Sequence, residues 1–212
     1  MIFQIPITVF VTTSLSIVIR VLYFIVNIFF ILVGEKYLEK RDKINASHYF
    51  ILLGAINIVW NAIAFSLLDF LPLLSLSINE YYMYLLYFMY TPAFLIELLT
   101  FGVFLILIAL KNEERDGKIL SYAGISSIIY TILGFIATFL IYSSLSLGSY
   151  PDGVILIIMG ISNIISMIFL VVFNIFLILY SIRCDELYLK IPAILLSIIT
   201  LIIIINMILL IF

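Results

Sequence analysis

One histidine and one cysteine in 212 residues leave little from which to build a metal or thiol centre. A lone cysteine, Cys184, excludes an intrachain disulfide and any cysteine cluster. The lone histidine, His48, leaves zinc short of the three or four convergent ligands that it takes. Longer signatures are missing too, for no HExxH pair, GxSxG elbow or P-loop occurs. His48 and Cys184 both fall at the boundary of apolar segments, on different segments, and a dyad between them is not expected. No catalytic residue, metal or cofactor is therefore expected, and the chain does not read as an enzyme.

Charge is scarce as well. Asp, Glu, Lys and Arg make up 10% of the chain while 66% is hydrophobic, against about 25% and about 45–50% in a soluble domain. A single core of this size cannot enclose so much apolar surface. The expected fold is all-α, a polytopic membrane protein built as a bundle of six transmembrane helices. The apolar stretches run over 5–33, 48–69, 81–110, 119–142, 153–182 and 191–212. Each has the ~20 residues that cross ~30 Å of hydrocarbon, and lipid offers a spanning backbone no partners outside a helix. Asp69 and Pro72 are expected to end the second helix. The first twenty residues, MIFQIPITVFVTTSLSIVIR, lack the basic lead and small-residue cleavage site of a secretory signal, so they read as a retained first span. With short connections throughout, residues 1–212 read as a single transmembrane domain.

The distribution of basic residues sets an expected orientation. Nine of the ten Lys and Arg lie in three alternate connections, GEKYLEKRDKINAS (34–47), KNEERDGK (111–118) and RCDELYLK (183–190). The connections around 75–80 and 143–152 have none. Basic loops stay cytoplasmic, which puts both termini outside and makes a cell-membrane location the natural expectation. These loops mix both signs of charge and read as solvated caps, with docking of a cytoplasmic partner as the sharper alternative. They form no basic patch suited to nucleic acid.

Against this background the stretch YTPAFLIELLTF stands out, because Glu97 is the only formally charged residue between Tyr81 and Leu110. It lies fourteen residues before Lys111, and Arg20 lies fourteen before Gly34. Both spans run the same way, so the two charges share a depth of about 21 Å from the basic end at ~1.5 Å per residue. Asn61, fourteen residues after Ser47 on the returning second span, reaches nearly the same level. A charge facing lipid costs ~2.5 kcal/mol or far more. Arg20 and Glu97 are therefore expected to face inward and pair, with Asn61 taking up leftover donors or acceptors. The alternative has Arg20 snorkelling to the headgroups, leaving Glu97 a lone neutral acid.

Upstream, Tyr87, Tyr90, Phe94 and Glu97 recur at three, four and three residues and so share a helix face. They belong either to an interfacial aromatic belt or to a vestibule leading to Glu97. Pro92 removes one helical bond between them. The amides Asn27, Asn57, Asn163, Asn174 and Asn206 are expected to bond across helices. Gly54, Gly102, Gly124, Gly134 and Gly160 are expected to permit close helix approach. A division into two halves of three spans would invert their topology, and three echoes, GAINIV at Gly54, GISSII at Gly124 and GISNII at Gly160, are the only repeats visible.

Two functions fit. One is a small transporter or permeation unit with Arg20, Asn61 and Glu97 as its midmembrane site. The other is a non-catalytic membrane subunit whose polar layer is structural. The expected partners are the lipid bilayer and a second copy of the chain or a membrane-complex partner. Orientation can be checked directly. With Cys184 removed, a cysteine at Asn112 should be shielded from an impermeant thiol reagent in intact cells and one at Asp152 should be labelled; the reverse pattern rejects the orientation.

Overall fold

The computed structural model describes residues 7–39, 44–66, 80–111, 115–146, 153–184 and 187–211. They form six helices: α1 (Ile7–Glu39), α2 (Ile44–Ala64), α3 (Glu80–Lys111), α4 (Arg115–Ser146), α5 (Gly153–Cys184) and α6 (Leu187–Ile211). A single π turn at 65–66 follows α2, while Asp69 and Pro72 lie outside the described residues. Every expected span is present as a helix, most extended by a few residues. Each helix carries a stretch of 19 to 25 residues long and apolar enough to cross a bilayer.

Isoleucine is a middling helix former in water, yet it is the commonest residue of these segments. The environment explains this. A backbone in hydrocarbon closes its hydrogen bonds within the segment, whatever the intrinsic propensity. Val59, Phe139, Ile164 and Leu201 are each more than half exposed, an outer surface suited to lipid. The chain is an integral, multi-pass membrane protein.

The helices form a ring in chain order. Each packs against its neighbours in sequence and α6 closes the ring on α1; among the described residues no other pair of helices has its backbones in contact. The tightest seams are α1–α2, α3–α4 and α4–α5. Large side chains fill the middle, including Phe30, Phe50, Phe101, Phe173 and Tyr180, all essentially inaccessible. Phe30 and Phe101 meet from α1 and α3, ring centroids 5.4 Å apart.

The α1–α2 seam repeats at intervals of two helical turns. Asn61 Nδ2 donates to Arg20 O at 3.0 Å. Seven residues along each helix, Gly54 abuts Asn27 O, and seven further Gly34 abuts Ser47 O. A Cβ on Gly54 would lie 2.5 Å from that carbonyl and 2.7 Å from Ile31 Cγ1. Gly124 sits against α3 in the same manner, where a Cβ would lie 2.7 Å from both Gly102 O and Ile106 Cγ1. Two of the three sequence echoes thus share one packing role, each on the second helix of a hairpin. The third differs. Gly160 has no neighbour within 4 Å of an added Cβ, so the expectation of close approach fails there. Its flank is open to lipid, with Ile161 and Ile164 beside it more than half exposed.

Substitution separates the two environments. Gly124→Val should lower stability by ~1–3 kcal/mol, the usual cost of overpacking. Gly160→Ala should be neutral or raise it by up to ~1 kcal/mol through helix propensity. Denaturant unfolding in mixed micelles reads both, and equal losses would mean that the contacts at Gly124 are not what limits it.

Candidate functional site

Helix α1 presents Arg20, Tyr23 and Asn27 to the ring interior because they follow one another at three and four residues. Across the ring, α3 presents Phe94, Glu97 and Phe101 by the same spacing. The backbones of α1 and α3 do not touch, so only long side chains can bridge them. Arg20 Nη1 reaches to 3.9 Å from Glu97 Oε2. Asn27 Nδ2 donates to Glu97 Oε1 at 3.2 Å. Glu97 is thus held between two α1 residues that are two turns apart, and both oxygens of its carboxylate face α1.

The exposures decide between the two readings of this pair. Arg20 is 6% exposed and Glu97 0%, so Arg20 does not snorkel to the surface. Its guanidinium lies inside the bundle, at the level expected from counting along the spans. At 3.9 Å the contact is Coulombic, near the outer limit of an ion pair, and Glu97 Oε2 accepts no hydrogen bond.

Asn61 differs from its expected part. It does reach the Arg20 level, but its amide nitrogen goes to the Arg20 main-chain carbonyl rather than to the charged pair. Its Oδ1 has no partner. The amide that touches the carboxylate is Asn27, which was not singled out among the five span amides. The available clue was its place seven residues after Arg20, two turns along the same face.

Asn57 is a second departure. It is 1% exposed and neither end of its amide has a hydrogen-bond partner, so the expected cross-helix bond is absent. By the α1–α2 register its level falls between those of Arg20 and Asn27, which is also the level of Glu97. Asn174 behaves as expected, donating to Thr200 Oγ1 at 2.7 Å between α5 and α6. The side chains of Asn206, Tyr87 and Tyr90 are not among those described.

Phe94 is wedged between phenols. Its ring meets Tyr23 edge-on with centroids 5.7 Å apart and Tyr130 of α4 at 6.2 Å. Trp60 donates its Nε1–H to Ala93 O at 2.9 Å, tying α2 to the turn of α3 that carries Phe94. Ser127 Oγ donates to Leu98 O at 2.7 Å from the other side. Glu97 therefore sits on a stretch of α3 pinned by both neighbouring helices. His48 is exposed near the start of α2 and Cys184 ends α5, two helices without backbone contact.

A double-mutant cycle measures the pair. Arg20→Leu and Glu97→Leu should each cost roughly 3–5 kcal/mol by stranding a buried charge, and the double change should cost clearly less than their sum. Asn27→Leu should cost ~1.5–3 kcal/mol, as for a hydrogen bond to a charged group. Unfolding free energies in micelles provide the comparison; simple additivity would mean that the charges do not interact.

No protein-family model, curated protein or solved structure matches the chain, so what this site does has to be argued from its own residues.

Proposed function

We propose that this protein is a small transporter or permeation unit of the cell membrane, with both termini outside and the Arg20–Asn27–Glu97 cluster as its midmembrane site. The observation that carries the reading is a wholly buried carboxylate and, at or near its level in the bundle, buried amides with polar atoms that lack partners. Glu97 Oε2, Asn27 Oδ1, Asn61 Oδ1 and both ends of Asn57 make no hydrogen bond. Each such atom costs ~1–3 kcal/mol, and native interiors hold few of them without a reason. A cluster kept only for packing would gain by satisfying them or replacing them with apolar groups. Intramembrane ionisable residues that face a bundle interior mark ion and substrate paths. The nine-to-none division of basic residues supports the orientation.

A second reading has its own support. Asn61 ties α2 to α1 through the Arg20 main chain, as a residue with a structural task would. On that reading the chain is a membrane subunit and its polar layer fixes the packing of the ring.

Reconstitution tests the first reading. Purified protein in lipid vesicles should relax imposed gradients of alkali nitrate, alkali chloride or ammonium salts about tenfold faster than protein-free vesicles, a barrier change of about 1.4 kcal/mol. Glu97→Gln should remove most of the gain. The charge swap Arg20→Glu/Glu97→Arg should keep the fold but lose the flux if the site transports. Rates equal to those of protein-free vesicles for the whole set would favour the subunit reading.

A further inference from the structure

We propose that the carboxylate of Glu97 has a second partner, the buried amide of Asn57 on α2, and that a shift at the α2–α3 seam makes and breaks this bond. The inference rests on the midmembrane-site reading for its use and not for its geometry.

Asn57 looks into the ring. It follows Phe50 by seven residues and precedes Asn61 by four, a spacing that puts all three on one face of α2. That face is the interior one. Phe50 is inaccessible and stacks on Phe30 with centroids 6.0 Å apart, and Phe30 in turn meets Phe101 of α3. Glu97 lies one turn from Phe101 on the same face of α3. The levels agree as well. Trp60 of α2 is bonded to Ala93 O of α3. Asn57 lies about one turn back from Trp60 and Glu97 one turn on from Ala93, and because the two helices run in opposite directions these steps keep level. Packed helices lie about 8–10 Å apart, a gap that an asparagine and a glutamate can close from its two sides.

Each of the two residues holds what the other lacks. Among the described residues, Asn57 Nδ2 is the one buried side-chain nitrogen without a hydrogen-bond partner, and Glu97 Oε2 is a buried carboxylate oxygen that accepts none. Asn27 already serves Oε1. Arg20 stands 3.9 Å from Oε2, beyond hydrogen-bond length. One N–H bond from Asn57 to Oε2 satisfies both orphans and needs no ligand, no cavity and no change in charge. Arg20 keeps the carboxylate beside it and has a further partner of its own, so closing the bond uncovers no charge.

The seams identify the movement. Gly34 and Gly54 lock α1 to α2, and Gly102 and Gly124 lock α3 to α4, for an added Cβ at each would meet another helix within 3 Å. Among the described residues the α2–α3 seam has no such glycine contact and packs less tightly. The units that move are therefore the α1–α2 pair and the α3–α4–α5 body, with the Trp60–Ala93 bond as the pivot between them. A small turn of α2 toward α3 brings Asn57 onto Oε2. Packed interfaces convert such small shifts into discrete states, and this structure holds the open one.

Solid-state NMR on the full-length protein in lipid vesicles tests the bond without requiring transport. With asparagine amides labelled in 15N and glutamate carboxyls in 13C, the Glu97 carbon is the one that Glu97→Gln removes. In the wild type it should show two asparagine contacts. Asn27→Leu should abolish one and Asn57→Leu the other, and the relative intensity of the Asn57 contact should change with temperature. Should Asn57→Leu fail to fold, Asn57→Ala makes the same comparison. A Glu97 carbon that keeps all its contacts in the Asn57 variant overturns the proposal. An Asn57 contact of constant relative intensity means a fixed bond and overturns the switch. Both contacts in vesicles that move no salt uphold the switch and remove the transport reading. Salt flux with no Asn57 contact does the reverse.

Discussion

A carboxylate cannot be carried into the middle of a bilayer alone, and the arrangement of this ring turns on how Glu97 is accommodated. Its two oxygens face Arg20 and Asn27 on α1, although the backbones of α1 and α3 never come into contact. The distance between those helices is set by side-chain length: a guanidinium and a carboxylate at one level, Phe30 against Phe101 further along. An apolar pair in the place of the charges would leave the register to packing alone, with a smaller penalty for misalignment. The charged contact fixes one, because its loss strands a charge.

The rest of the interior supports that register from the flanks. Glycines at Gly34, Gly54, Gly102 and Gly124 bring neighbouring helices so close that added methyl groups would strike backbone carbonyls or isoleucine side chains. In lipid this closeness matters more than in water, since helices gain little by hiding apolar surface from an apolar solvent and associate through van der Waals packing and hydrogen bonds. The α3 segment around Glu97 is held by Trp60 from α2 and Ser127 from α4. The charged residue thus sits on a well-anchored helix while its own hydrogen bonding is incomplete.

Much of this was legible in the residues. The membrane class and the six helices follow from apolar stretches of spanning length, because length and polarity act through the bilayer thickness and need no tertiary information. The shared depth of Arg20 and Glu97 was also legible, since rise per residue converts sequence distance from a loop into height. Helix facing is harder. In segments apolar on every side, hydrophobic periodicity scarcely separates an inward face from a lipid face, so the choice of Asn61 over Asn27 could not be made by counting alone. The glycine at Gly160 was misread for a related cause: its flanking residues resemble those of Gly124, and only the arrangement of the ring puts one on a seam and the other on the lipid surface.

What the sequence determined by itself, then, is the element list and the height of each polar group, because both are properties of single helices in a solvent of known thickness. The tertiary structure decided which faces turn inward and which partners meet there. Asn27 rather than Asn61 on the carboxylate, Asn57 buried with no partner, and Gly54 and Gly124 in contact while Gly160 is bare all depend on rotations of whole helices about their axes. Those rotations are chosen by the fit of every seam at once, so no single span contains the information.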